Sequence, residues 1–193
     1  MMSERPAGTP RPHDLHHDQH QHGAPGAVAT MFPPAGHDHH ACAADTLARA
    51  EAICRAEGLT LSPGRRRVLV ALARSHAPMG AYDLIEQLAA EGPRPAPITV
   101  YRALSFLTEN GLAHRIERLN AFVACAGNHD AARPLVFLIC DRCGQVGEVA
   151  ADAVGIDLER ACAPVGFRPR SAALEILGVC RHCAELPDAN PPG

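Results

Sequence analysis

Apolar residues recur at helical spacing from Asp45 to Gly111, in four runs that each carry their own start or stop signals. The first opens on a cap-like Asp45, sets Leu47, Ala50, Ile53 and Cys54 on one face, and stops at Gly58. In the second, Ser62 stands as N-cap with Pro63 at the first helical position, and Val68, Leu69 and Leu72 share the inner face. GAYDLIEQLAAEG predicts a third helix, apolar at Leu84, Ile85 and Leu88 and ended by Gly92. After the forced turn at RPAP, ITVYRALSFLTENG predicts a fourth, with Val100, Leu104 and Leu107 inward and Gly111 as its stop.

Beyond Gly111 the period drops to two. LAHRIE and AFVAC alternate around a turn at Leu119 and Asn120, the pattern of a hairpin. Helices followed by such a hairpin predict a winged helix-turn-helix domain over residues 45–126, and the stretch NHDAARP marks a hinge, set at residues 127–133. Over residues 134–186, LVFLIC, QVGEV, a helix from Asp152 to about Ala163 and AALEILGVC alternate strands with one helix. The second unit is therefore a small α/β domain, and the fold class of the chain is α+β. Residues 1–44 hold six Pro and eight of the twelve His, in HDLHHDQHQH and HDHH, with little to pack. They predict a disordered tail, as do residues 187–193. Such His-rich tracts can bind Zn, Ni or Cu loosely; a solvated tail without a defined role is an equal reading.

With 47% hydrophobic residues but no Trp, two Tyr and five Phe, the cores must be built from Leu, Val, Ala and Ile. Two small domains of this make call for a metal or a second copy as supplement. No stretch is apolar for long enough to span a membrane, and the basic-then-apolar pattern of a secretory signal is missing, which predicts a cytoplasmic protein. In that reducing compartment eight cysteines point to metal ligation or redox chemistry rather than to disulfides. The net charge of −3 hides a division: ten Arg face seven acids over residues 46–120, whereas acids outnumber Arg before and after. Only the winged-helix third is basic.

Two identically spaced pairs, Cys140 with Cys143 and Cys180 with Cys183, each stand just beyond a predicted strand, with Gly144 suited to a tight turn. A tetrahedral zinc site of four thiolates needs two such converging pairs. A thioredoxin-like dithiol, which needs only one pair, and chance spacing are the alternatives. A second set gathers around the hinge: His114 in the first wing strand, Cys125 ending the second, His129 and Asp130 in the hinge, and Glu148 after the first pair. Together they offer N, S, N and O donors, which suit tetrahedral Zn, and the thiolate argues against Mn or Mg. Each alone also reads as a surface histidine or a small buried hydrophobe. The fourth helix is the natural recognition element, with Tyr101 and Arg102 near its start. Arg65, Arg66, Arg67, Arg94, Arg115 and Arg118 are candidates to meet phosphates, each equally readable as a solvated charge.

The motifs LSPGR, AYDLIEQL, TVYRALSFLTENGLAHRIE, FVAC and FLICDRCG, in this order and followed by a second CxxC, carry a resemblance from Asp45 to Cys183. The chain resembles the ferric uptake regulator family of bacterial metal-responsive repressors, and within it the zinc uptake regulators. The resemblance implies a homodimer joined through residues 134–186, with Cys140, Cys143, Cys180 and Cys183 as a structural zinc site. It assigns a regulatory zinc to His114, Cys125 and Glu148, hence two Zn²⁺ per monomer. The family's usual fourth ligand falls where this chain has Arg133, so the nearby His129 takes that place. Tyr82 and Arg102 match positions that the family uses on DNA. Where the iron-sensing branch carries a His-rich run before its first strand pair, this chain has RPLVFLIC, which favours zinc.

The function so implied is a cytoplasmic, zinc-responsive transcriptional repressor rather than an enzyme. It would bind double-stranded promoter DNA as a zinc-loaded homodimer, control zinc homeostasis genes and have no membrane partner. Within the same family the alternative is a sibling that senses iron, manganese or peroxide. From other classes come a zinc-dependent hydrolase, whose metal would keep one position open for water, and a zinc store working through the His-rich tail.

Overall fold

The computed structural model describes Phe32 and residues 39–127, 134–170 and 172–186. Helix α1 spans His39–Ala56, α2 Pro63–Ala73, α3 Ala81–Ala90 and α4 Pro97–Glu109. Their inner faces form one core in which Cys54, Leu69, Leu72, Leu84, Ile85, Leu104 and Leu107 are buried. Local chemistry explains the ends. Ser62 caps α2, its hydroxyl accepting the Arg65 N–H at 3.4 Å, and Pro63 follows at the first position. Both α1 and α4 end on a left-handed glycine, Gly58 and Gly111, and the next residue's N–H reaches five residues back: Leu59 to Cys54 at 2.7 Å and Leu112 to Leu107 at 2.8 Å. This motif satisfies the last carbonyls and turns a leucine back onto the core.

Helix α1 begins at His39, ahead of the expected Asp45, so residues 39–44 are helix rather than tail. The extra turn finds packing that no local pattern announces: Ala43 is buried, and the His39 ring lies 5.5 Å from that of His76. The rest of the proposed N-terminal tail, Phe32 apart, and the C-terminal tail from residue 187 lie outside the described residues, as do His129, Asp130 and Arg133.

The wing is strand β1 (Ala113–Ile116) paired antiparallel with β2 (Ala121–Ala124), joined by a 3₁₀ turn over Glu117–Leu119 and by Asn120 at φ +46°. Met79 bridges to Phe122 through two backbone bonds of 2.8 and 2.9 Å, which ties the wing to the loop before α3. The second unit is a sheet in the order β4-β3-β5, with β3 (Leu135–Cys140) central, β4 (Val146–Ala150) antiparallel to it and β5 (Ala173–Gly178) parallel. Strand β3 is apolar throughout because both its faces are covered. Leu135, Phe137 and Ile139 pack with Ile116 and Val123 of the wing, while Val136 packs with Val149 and Ala151 behind.

The single helix expected from Asp152 to Ala163 is broken. A 3₁₀ turn over Ala151–Val154 closes at Gly155, φ +75°, and α5 covers only Leu158–Cys162, capped by Asp157. The Ile156 N–H returns to the Ala151 carbonyl at 2.8 Å, folding Ile156 against the rear face of the sheet, which a continuous helix would not allow. Helix α6 (Arg181–Ala184) ends the described chain.

Candidate functional site

Strand β3 delivers Cys140 at its last position, and the turn that follows closes through Gly144, φ +72°, whose N–H meets the Cys140 carbonyl at 2.9 Å. Beside it, Cys180 caps α6, its sulfur accepting the Cys183 N–H at 3.4 Å. The parallel register sets Cys140 against Gly178, and the Asp141 N–H bonds the Gly178 carbonyl at 2.9 Å, so the two turns lie side by side. All four sulfurs fall within 4.8 Å of one another. Cys143 Sγ and Cys180 Sγ are 3.8 Å apart. Tetrahedral arms of about 2.3 Å imply sulfur–sulfur edges of about 3.8 Å, so the set fits zinc.

The electrostatics also call for a cation. Burial pushes the Cys140 thiol up, but backbone N–H groups of Cys180, Cys143 and Arg142 together outweigh it and bring the pKa down to about 6. Cys143 and Cys183 move the other way: burial raises both, and the thiols around Cys183 help push it up to about 12. One lowered thiol beside two raised ones makes a cluster whose ionisation an added positive charge would favour.

The second set lies at the seam between wing and sheet. One row across the sheet, Glu148–Phe137–Glu175, faces the wing in register. The His114 ring rests 5.3 Å from that of Phe137, and His114 Nε2 is 3.7 Å from Glu148 Oε2, with side chains 16% and 4% exposed. His114, Cys125 and Glu148 offer one donor atom each, and these also lie within 4.8 Å of one another. The structure thus brings together three of the four residues expected at a regulatory site. Glu148 further accepts the Ala126 N–H at 2.9 Å.

On the winged helix, Tyr82 and Tyr101 are 73% and 42% exposed and line one groove with Ser105 and Arg115; Arg102 is exposed beside them on α4. Other arginines of the basic third are engaged within the chain. The Arg65 guanidinium stacks 3.5 Å over the Phe106 ring and donates to the Thr60 carbonyl at 2.6 Å. Arg66 pairs with Glu51, Arg67 donates to the Leu88 carbonyl, Arg115 meets Glu117 and Asn120, and Arg94 forks onto Glu86, whose carboxyl that hydrogen bond holds below its usual range.

Residues 56–177 match the model of the ferric uptake regulator family. The zinc uptake regulation protein of Escherichia coli (strain K12) is 37% identical over 142 residues, 74% of this chain and 83% of that relative. The chain belongs to the ferric uptake regulator family. Its similarity extends to the peroxide operon regulator of Bacillus subtilis (strain 168), 30% identical over 148 residues, 74% of this chain and 97% of the relative. Among solved structures, a zinc uptake regulator complexed with zinc and DNA is 36% identical with a TM-score of 0.67, covering 74% of this chain and 95% of that one. The crystal structure of holo XcZur is 38% identical with a TM-score of 0.64, covering 74% and 99%.

Against this family frame, two contacts stand out that sequence reasoning missed. The Glu175 carboxylate receives the N–H groups of Glu117 and Arg118 at 2.6 and 3.2 Å, pinning the wing turn to the sheet. Arg49 on α1 donates to the Cys125 carbonyl. Glu175 had a weak signal, as an acid inside an apolar strand pattern; Arg49 had none.

Proposed function

We propose that this chain is a zinc-responsive transcriptional repressor, a cytoplasmic homodimer that binds promoter DNA in its zinc-loaded state and governs zinc uptake. One observation carries the reading: nitrogen, sulfur and oxygen donors from β1, the end of β2 and β4 converge across the seam of two folded units. Similarity to regulators whose names join zinc and DNA supports it. In this reading His114, Cys125 and Glu148 hold the regulatory ion with His129 as fourth ligand, and Cys140, Cys143, Cys180 and Cys183 hold a structural one. That makes two zinc ions per monomer.

The chain's own residues explain how the seam could speak to DNA. Cys125 is tied back to the end of α4, its N–H bonding the Leu112 carbonyl at 3.1 Å, and Leu112 in turn bonds Leu107. Drawing His114 and Cys125 toward Glu148 therefore sets the pose of α4 relative to the sheet, through which the dimer is joined. Tyr101 and Arg102 on α4 and Tyr82 on α3 form the face that enters the major groove. Arg65, stacked on Phe106, serves as a phosphate contact at the flank. By linkage, zinc must favour the DNA-competent pose, and DNA then raises zinc affinity by the same factor, about 5- to 150-fold for a coupling of 1–3 kcal/mol.

The test is metal content and binding to the protein's own promoter region, measured on the same samples of wild type and Cys125→Ser. Two zinc ions in the wild type and one in the variant, with zinc-dependent DNA binding only in the wild type, is the expected result. A variant that keeps both ions and its zinc response would make Cys125 core packing and end this reading of the seam.

A further inference from the structure

The backbone that carries the Cys125 thiol is gripped from α1, an element that contributes no donor to either cluster. Arg49 Nη2 donates to the Cys125 carbonyl from 76 positions earlier in the chain. The same guanidinium lies over Gly127: a Cβ there would stand 2.1 Å from Arg49 Cζ and Nε and 2.5 Å from Nη1. Gly127 also sits at φ +86°, where side chains are strained. Residue 127 must therefore lack a side chain for Arg49 to reach its place. Between the two gripped residues, the Ala126 N–H donates to Glu148 Oε2 at 2.9 Å. Three consecutive residues are thus held by α1 on one side and by the Glu148 carboxylate on the other.

We propose that Arg49 is a positioning residue for the regulatory centre, holding residues 125–127 so that the Cys125 sulfur and the Glu148 carboxylate converge. The inference rests on the metal-centre reading above and adds α1 to the parts that zinc occupancy senses. Outer groups that orient a ligand change metal affinity about 10- to 100-fold when removed. A planar guanidinium can bond the carbonyl and lie flat over glycine at once, whereas a lysine ammonium is a point charge. Arg49→Lys should therefore fall between wild type and Arg49→Ala.

The experiment uses the full-length protein with zinc in the four-cysteine site. Wild type, Arg49→Lys, Arg49→Ala, Gly127→Ala and the double variant are titrated with zinc against a chromogenic chelator. Cobalt(II) is titrated in parallel, its thiolate charge-transfer band reporting the Cys125 sulfur. Arg49→Ala is expected to weaken the second site about 10- to 100-fold and to shift the cobalt band, while the one-zinc form unfolds at its wild-type temperature. Gly127→Ala should cost less in the Arg49→Ala background, where its collision partner is gone. Wild-type affinity and an unmoved cobalt band in Arg49→Ala would overturn the proposal. So would a loss of affinity matched by equal destabilisation of the one-zinc form, which marks a merely structural contact. A wild type that takes up no second metal would instead sink the metal-centre reading itself, and this inference with it.

Discussion

The two clusters are built on opposite plans. Around Cys140 all four donors are sulfur, and the turns that carry them are knitted together by their own backbone bonds, Gly144 to Cys140 and Asp141 to Gly178. At the seam the donors are of three kinds and come from β1, the residue just after β2, and β4, and the contacts around them are the contacts that dock the wing: Ala126 to Glu148, Glu117 and Arg118 to Glu175, Ile116 and Val123 against Phe137. In the reading proposed above, a metal at the first cluster would complete a fold, and a metal at the second would change how two finished folds sit against each other. What separates a structural ion from an informative one is where the backbone behind its ligands is anchored.

The strongest way to break this contrast is Cys140→Ser. Structural zinc sites of this type contribute about 10–16 kcal/mol of apparent binding free energy, so the second unit is expected to lose its metal and its cooperative unfolding transition. Near-UV circular dichroism beside metal analysis would show it, with Cys125→Ser keeping its transition. A Cys140→Ser protein that still melted cooperatively would erase the distinction. Next in size is Ile116→Ala. Ile116 is 0% exposed and packs between wing and sheet without offering a donor. Truncation should cost about 2–5 kcal/mol in thermal unfolding and loosen the seam, lowering zinc affinity there and leaving the four-cysteine site intact.

The smallest effect sharpens the electrostatic side. Near pH 7 the lowered Cys140 is already largely thiolate, whereas Cys143 and Cys183, both raised, still hold protons that zinc must displace. Zinc affinity of that cluster should then rise with pH, about tenfold per displaced proton per pH unit, with about two protons released from this pair. Below pH 6 Cys140 also protonates, so the dependence steepens as pH falls. Calorimetry in buffers of different ionisation enthalpy counts the protons; a pH-independent affinity would contradict the thiol balance described above.

Much of this was legible from local pattern. Helical periodicity marked the inner faces of α1 to α4, alternation marked the wing, and the repeated CxxC marked the cysteine cluster, because each signal is confined to a few neighbouring residues. The parts that stayed hidden depend on distant partners. The first turn of α1 forms where Ala43 and His39 find the rest of the molecule, and the break at Gly155 exists because Ile156 is drawn behind the sheet. Two arginines of the basic third, Arg66 and Arg94, pair with Glu51 and Glu86, which no count of charges reveals. The row Glu148–Phe137–Glu175 is likewise a property of register, not of spacing.

The parallel pairing of β3 with β5 has a consequence in time as well as in space. Cys143 precedes Cys180 by 37 residues, and the central strand has no parallel partner until β5 has been made. At synthesis rates of about 5–20 residues per second, the first thiol pair leads the second by about 2–7 s. The helical core and wing hairpin, all encoded earlier, can collapse in that interval. Each nascent chain therefore acquires a folded reading head before the cysteine knot behind it can close. All four thiols of the cluster are in place only once α6 has been made.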